Sequence, residues 1–304
     1  MGTVVISIDA ELGWGHHDRP DPPAERVENA RRGWVQLLHL LDEYEIPATW
    51  AVVGHLFLDD CDGEHVDHPS PEGWFDRERG EWRLRPELRF GYGLVDAVRS
   101  SSVDHEIGSH SFSHVELGNA SRDLARAELA ESVDAASDAS VELESFVYPR
   151  HQIGHLDLLS EHGFTCYRGL CPDRASSHPL GLPTRKVART FLPNLLPPLV
   201  EPETDECGLV NIPASLYLFG AEGAFRTVVE TLWRDPMAVM ARKGIDAAAR
   251  RDGEVFHLWL HPNDITGVGD AHRVEAILRY LARRREESPL SVETMGSVAE
   301  RVRH

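Results

Sequence analysis

Lysine is almost absent from this chain. Its 304 residues include 31 Lys and Arg against 50 Asp and Glu, only Lys186 and Lys243 are lysines, and the formal net charge is −19. A surface with this much negative charge repels nucleic acid and anionic membranes. Neither is therefore expected as a partner. Two origins of the acidity stay open: adaptation to a salt-rich cytosol, where dense carboxylates are hydrated and screened, and general compositional bias. We favour the first.

Long apolar runs and a basic leader are also lacking. No window offers the roughly 18 or more apolar residues that a membrane span requires. The first nine residues, MGTVVISID, have neither a basic start nor a small-residue cleavage site. The sequence therefore predicts no signal peptide and no membrane span, and a cytoplasmic location.

Cysteine is scarce, and its spacing is uninformative. Cys166 and Cys171 are five residues apart, while Cys61 and Cys207 stand alone. This pattern fits neither a zinc finger nor a CxxC redox pair. Free thiols are expected.

Short apolar, β-branched runs alternate with longer helical patterns, which is typical of an α/β fold with a mainly parallel sheet. Strands are predicted at 4–8, 48–53, 103–109, 145–148, 164–168, 209–214 and 255–260, and helices at 24–44, 121–139, 156–161, 223–251 (with a break at Pro236) and 271–285. Residues 61–90 read as an excursion, and prolines make 172–207 irregular. Neither a repeat nor a long linker divides the chain, so one domain is expected over 1–304.

Two histidines four residues apart form the most specific motif, in the segment HEIGSHSFSH at 105–114. A predicted strand leads into His110. On a helical turn at the end of that strand, the spacing would put the imidazoles of His110 and His114 on one face, where they could bind one metal ion. Two solvated loop histidines are the alternative in a chain with 17 histidines.

A pair of carboxylates ends the first predicted strand, as Asp9-Ala10-Glu11. The carboxyl ends of buried strands are where α/β folds place their reactive groups. One carboxylate joining two histidines makes a three-ligand metal site with an open position, which is typical of a catalytic metal. The alternative, an acid that caps the next helix, suits Glu11 better than Asp9.

A third signal follows the last predicted strand, in FHLWLHP at 256–262. His261 ends that strand and is expected at the same edge of the sheet. Its alternative is a strand-end residue bonded to backbone. His257 lies inside the strand and is expected to be packed.

In this order and at these separations, the motifs resemble the polysaccharide deacetylases with the NodB-homology domain, carbohydrate esterase family four. The resemblance covers Thr3 to about Arg301 and rests on four segments: SIDAE at 7–11, IPATWAVVG at 46–54, 105–114, and LHP at 260–262. It implies a distorted (β/α) barrel of about seven strands that forms a single catalytic domain.

The resemblance also implies roles. Asp9 becomes the general base, His110 and His114 become ligands of a divalent metal, with zinc favoured, and His261 becomes the general acid that protonates the leaving amine. Such chemistry is coherent, because a zinc-type metal polarises the acyl carbonyl and activates water while a carboxylate takes the proton.

Two positions depart from the family pattern. Ala10 stands where a second acid is usual, so Glu11 is the substitute metal ligand. The arginine that steadies the base usually precedes a proline pair, whereas Arg150 follows Pro149 here. We assign Arg150 the orienting role, with a surface salt bridge as its alternative. The fourth family motif has no clear match, and Arg168 is a candidate for its place.

The predicted activity is metal-dependent removal of an N-acyl group, acetyl first, from a sugar or a sugar-containing substrate. One alternative is an allantoinase-like amidase acting on a small cyclic or ureido compound. Another is a carbohydrate-binding pseudoenzyme, although the joint presence of Asp9, His110, His114 and His261 argues against it. The expected partner is a small molecule or glycan, and the sequence indicates no oligomeric state.

Overall fold

The computed structural model describes residues 1–172, 196–220 and 235–304. Within them, ten strands form one sheet in the order β6-β7-β5-β4-β3-β2-β1-β9-β8, with β10 also paired to β1. The strands are β1 Gly2–Ala10, β2 Thr49–Val52, β3 Glu106–Ser109, β4 Ser145–Phe146, β5 Cys166–Tyr167, β6 Glu203–Thr204, β7 Val210–Asn211, β8 Leu216–Tyr217, β9 Val255–Leu260 and β10 Leu290–Glu293.

Strand β1 is the centre of this sheet, and all nine of its residues are buried. It pairs in parallel with β9 along Thr3–Ile8, with β2 along Ser7–Ala10 and with β10 along Gly2–Val5. Strands covered on both faces are typically continuous apolar runs, and the sequence TVVISI meets that requirement. The predicted first strand is confirmed and is longer at both ends.

The sheet is curled, and one extended segment, 210–217, pairs with strands at both of its ends: β5 on one side and β9 on the other. On one side the amide of Val210 donates to the carbonyl of Thr165 (2.9 Å), in the ladder with β5. On the other side the amide of Ser215 donates to the carbonyl of His257 (2.8 Å), in the ladder with β9. When β7 and β8 are counted as one segment, and β6 and β10 are left out because they pair outside the ring, seven strands form a ring, so the predicted distorted barrel is confirmed.

Helices cover the outside of the barrel. The longest amphipathic one, α1, buries Val27, Ala30, Trp34, Leu37 and Leu41 at spacings of three and four. The helices are α1 Ala24–Glu43, α2 Asp76–Arg79, α3 Pro86–Arg89, α4 Tyr92–Arg99, α5 Arg122–Asp138, α6 Leu156–Glu161, α7 Pro236–Ala248, α8 Val268–Glu287 and α9 Met295–Arg303. Across the described ranges, no helix is both long and apolar enough to cross a membrane.

The excursion at 61–90 has more structure than predicted. It contains α2 and α3, and its Phe75 joins the main core. Trp82 and Leu88 pack with Val27 of α1. The predicted helix 223–251 lies partly outside the described residues, and its described part begins at Pro236, where a break was expected. Residues 173–195 of the predicted irregular region also lie outside.

Candidate metal and catalytic site

Polar side chains gather where the barrel strands end at their carboxyl edge. Asp9 is the penultimate residue of β1, Glu11 follows β1, His110 follows β3, Arg168 follows β5 and His261 follows β9. Because parallel strands end at the same edge, residues far apart in the chain meet here, as in other α/β barrels. Apart from Arg168, which was considered only for the fourth motif, these are the predicted site residues.

Glu11, His110 and His114 form one buried group. Glu11 Oε1 lies 3.6 Å from Nε2 of His110 and 3.4 Å from Nε2 of His114. The carbonyl of Val147 lies 2.7 Å from His110 Nδ1, which leaves Nε2 as the atom that faces the group. Within the described residues, this buried Nε2 has no hydrogen-bond partner. Two imidazoles and one carboxylate fit a zinc-type cation with an open position.

The path of the chain between His110 and His114 differs from the prediction. A helical turn was expected, but Ser111 and His114 have φ values of 60° and 67°, in the left-handed region. These two residues reverse the chain and bring the imidazoles to a ring separation of 5.0 Å. Buried Glu128 of α5 holds the loop, because its carboxylate accepts from the amide of Ser113 (2.8 Å) and from the Ser113 hydroxyl.

Glycine at position 15 allows Glu11 to sit where it does. A Cβ at Gly15 would lie 1.6 Å from Glu11 Oε2. Any side chain at this position would therefore displace the carboxylate from His110 and His114.

Asp9 is paired with Arg168. Nη1 of Arg168 lies 2.5 Å from Asp9 Oδ1, and Nη2 lies 2.7 Å from Oδ2. Burial raises the pKa of Asp9, but the charge of Arg168 outweighs it and lowers the pKa to about 2. Arg168 also donates to Ser7 Oγ (3.0 Å), which lies 2.8 Å from His257 Nε2. His257 is buried, as predicted, and completes this polar chain.

Arg150 does not make the contact with Asp9 that the sequence predicted. Its guanidinium is part-exposed and binds Asp18 (2.6 and 2.7 Å) and Glu116 (2.9 Å). Arg150 lies in the turn Pro149–His151 with a φ of 49°, in the left-handed region. The orienting contact expected of Arg150 is made by Arg168 instead.

His261 faces both acids from the opposite wall. Its Nε2 lies 3.5 Å from Glu11 Oε1 and 3.7 Å from Asp9 Oδ2. Burial lowers the pKa of His261, but the charges of Asp264 and Glu11 outweigh it and raise the pKa to about 10. A cation bound to Glu11 would offset that charge and lower the pKa of His261 again.

Asp264, which sequence reasoning missed, orients His261. Its Oδ2 lies 3.0 Å from His261 Nδ1, and the hydroxyl of Tyr217 donates to the same carboxylate at 2.8 Å. A carboxylate on Nδ1 fixes the tautomer and leaves Nε2 directed at the acids. The available signal was an acid three residues after a strand-end histidine.

Comparison with solved structures identifies the fold. Forty-one chains match. A Mycobacterium smegmatis protein assigned to the polysaccharide deacetylases is 19% identical with a TM-score of 0.61, covering 99% of this chain and 90% of that one. A Pseudomonas aeruginosa PAO1 protein with the same assignment is 14% identical with a TM-score of 0.59, covering 98% and 89%. The Puue allantoinase gives the same four values as the P. aeruginosa protein.

A family model matches part of the sequence. The family model described as Polysaccharide deacetylase matches residues 23–165. No curated protein matches the chain. Over this segment the chain is similar to the polysaccharide deacetylase family that its motifs predicted. The match includes His110 and His114, while Asp9, Glu11, Arg168 and His261 lie outside it.

Proposed function

We propose that this chain is a metal-dependent deacetylase that removes an N-acyl group, acetyl first, from a sugar-containing substrate. One observation supports the proposal most strongly. The buried side chains of Glu11, His110 and His114 lie close together, beside the Asp9–Arg168 ion pair and His261. Each of these groups has a distinct task in the hydrolysis of an amide.

Glu11, His110 and His114 would hold the cation, and zinc suits a set of two imidazoles and one carboxylate. A divalent cation at this position supplies Lewis-acid polarisation of the acyl carbonyl and a lowered pKa for water. Glu11 is favoured over Asp9 as the ligand, because both oxygens of Asp9 already accept from Arg168.

Asp9 is then the general base. Arg168 holds its carboxylate ionised and fixed in orientation, so that a lone pair can accept a proton from the attacking water. The orienting role that the sequence assigned to Arg150 passes to Arg168 in this proposal. The hydroxyl of Ser7 accepts a hydrogen bond from the Arg168 guanidinium, and His257 in turn contacts that hydroxyl.

His261 is the general acid. An amine leaves an acyl group only when it is protonated, and the face of His261 opposite Asp264 is directed into the site. Asp264 lies against Nδ1 of His261 and fixes the orientation of the imidazole. Nε2 is thereby left to donate the proton to the leaving amine.

An allantoinase-like amidase is the second candidate, since the likeness to the Puue allantoinase is as close as that to one of the deacetylase structures. At 14% identity this likeness concerns the fold alone. The convergent group of Glu11, His110 and His114 favours the metal-dependent deacetylase over this candidate and over a pseudoenzyme that only binds carbohydrate.

The test is release of acetate from an N-acetylglucosamine oligosaccharide, with allantoin as the competing substrate. We expect acetate release that a chelator abolishes and zinc restores. His110→Ala should abolish it, whereas His39→Ala, a change at an exposed histidine of α1, should not. Turnover of allantoin by metal-free protein, without acetate release, would overturn the proposal.

A further inference from the structure

A second group of metal-ligating side chains lies in and beside the excursion at 61–90, away from the catalytic residues. His55, Cys61, His65 and Glu78 each direct one ligand atom to a common point, and these atoms all lie within 4.8 Å of one another. The side chains of His55 and Glu78 are almost fully buried, and that of His65 is 9% exposed. None of the four takes part in the proposed hydrolysis.

The separations within this group approach those of a tetrahedral metal site. His55 Nε2 lies 2.8 Å from Glu78 Oε1, His65 Nε2 lies 3.0 Å from Glu78 Oε2, and Cys61 Sγ lies 3.4 Å from His65 Nε2. A zinc ion with bonds of about 2.0–2.3 Å holds neighbouring ligand atoms about 3.3–3.8 Å apart in a tetrahedron. The two separations that involve Glu78 are shorter than this by about 0.3–0.5 Å, so the carboxylate would move outward by a similar amount to admit the ion.

Surrounding contacts orient the ligands as outer contacts do in metal sites. The carbonyl of Arg89 lies 3.2 Å from His55 Nδ1, so Nε2 carries the lone pair that faces the group. The Arg89 guanidinium orients the Glu78 carboxylate by donating to Oε1 (2.6 Å). The amide of Gly63 donates to Cys61 Sγ (3.3 Å).

Charge also favours a cation here. Cysteine binds zinc as the thiolate, and glutamate binds it as the carboxylate. Cys61 and Glu78 together supply two negative charges, of which Arg89 offsets one. A divalent cation would balance the remaining negative charge of the ligand set.

We propose that His55, Cys61, His65 and Glu78 form a structural zinc site, distinct from the catalytic site. Two histidines, one thiolate and one carboxylate are all zinc ligands, and four protein ligands close the coordination sphere against water. None of these four residues belongs to the proposed catalytic group, so metal binding here can be tested whether or not the proposed function is right.

The consequence of this site would be a fixed wall for the catalytic pocket. The indole of Trp14 lies 4.3 Å from the ring of His55 and donates to the carbonyl of Arg89 (3.1 Å). Trp14 belongs to the turn that carries Gly15, which packs directly on Glu11. A cation bound by the four ligands would thus fix the segment 61–90 against the loop that positions Glu11.

Cobalt substitution separates the two sites, because only the second contains a thiolate. We expect metal-free full-length protein titrated with Co²⁺ to develop a near-ultraviolet thiolate-to-cobalt charge-transfer band. The band should persist in His110→Ala, vanish in Cys61→Ser and persist in the matched control Cys207→Ser. Absence of the band in the wild type, or its persistence in Cys61→Ser, would overturn the proposal.

A second variant keeps the test decisive if Cys61→Ser does not fold. His65→Gln retains every cysteine and should weaken Co²⁺ binding at the thiolate site at least about tenfold. Added zinc should raise the melting temperature of His110→Ala but raise that of His65→Gln less. Equal Co²⁺ affinity in His65→Gln and the wild type would contradict a role for this imidazole as a ligand.

Discussion

Arg168 grips Asp9 through two parallel hydrogen bonds, from Nη1 to Oδ1 at 2.5 Å and from Nη2 to Oδ2 at 2.7 Å. Both residues are buried, and they are 159 positions apart in the sequence. The bidentate geometry fixes the plane of the carboxylate as well as its charge, which a lysine could not do.

Arg168→Lys should therefore keep the charge and lose the orientation of Asp9. We expect kcat to fall about 10²-fold, because a misplaced base forfeits the alignment on which proton transfer depends. Arg150→Lys is the matched comparison and should change kcat little. Steady-state rates on the two purified variants decide between the arginines; a larger loss in Arg150→Lys would return the orienting role to that residue.

Asp264→Asn should impair His261 without removing it. The amide cannot hold the same tautomer against Nδ1, so proton donation from Nε2 should weaken, with kcat lower by about 10²–10⁴-fold. Tyr217→Phe removes only a hydroxyl that supports Asp264 and should cost less. Metal content and the circular dichroism of both variants should match the wild type. Unchanged kcat in Asp264→Asn would show that His261 does not need this partner.

Gly15→Ala should weaken metal binding by displacing the Glu11 carboxylate. The new methyl group would collide with Glu11 Oε2, so the carboxylate must leave its position between His110 and His114. We expect weaker zinc binding in an equilibrium titration. Gly93→Ala, at a helical glycine with open space around it, is the control and should be neutral or stabilise by about 0.5–1 kcal/mol. Full zinc affinity in Gly15→Ala would contradict this packing.

The Asp9–Arg168 pair should also appear in the acid stability of the metal-free protein. The pKa of Asp9 falls from 3.8 to about 2 on folding, so its contribution is complete above about pH 4 and is lost as the pH falls through 2. It amounts to about 2 kcal/mol. The difference in unfolding free energy between wild type and Asp9→Asn should therefore shrink between pH 4 and 2. A constant difference, measured by urea unfolding, would rule out this linkage.

The sequence predicted the scaffold well, because buried strands and amphipathic helices leave periodic patterns. The predicted bounds of β9 and α6 are those of the structure, and β1 and α1 differ only at their ends. Short β8 and β10 were missed. Their pairing partners, β9 and β1, lie far away in the chain. Segments of two to four residues are also too short to show the alternation of apolar and polar residues that predicts a strand.

Four of the predicted site residues stand at strand ends, namely Asp9, Glu11, His110 and His261, whereas His114 and Arg150 lie farther along the loops that follow β3 and β4. Arg168 directly follows β5, so the signal that identified His110 and His261 applied to it as well. The family pattern led instead to Arg150, which is close to Pro149 in sequence but directed towards Asp18. The left-handed conformation of Ser111 and His114 was not readable, since it is uncommon for any residue other than glycine, including histidine, which adopts it more often than most.

The most direct test of the central assignment is the zinc content of Glu11→Gln and Asp9→Asn, determined by elemental analysis after equilibration at limiting zinc. A neutral amide is a poor ligand, so Glu11→Gln should lose one zinc per chain relative to the wild type and regain activity with excess zinc. Asp9→Asn should keep the wild-type zinc content and lose about 10²–10⁴-fold in rate. Zinc lost from Asp9→Asn but retained in Glu11→Gln would contradict the assignment of ligand and base.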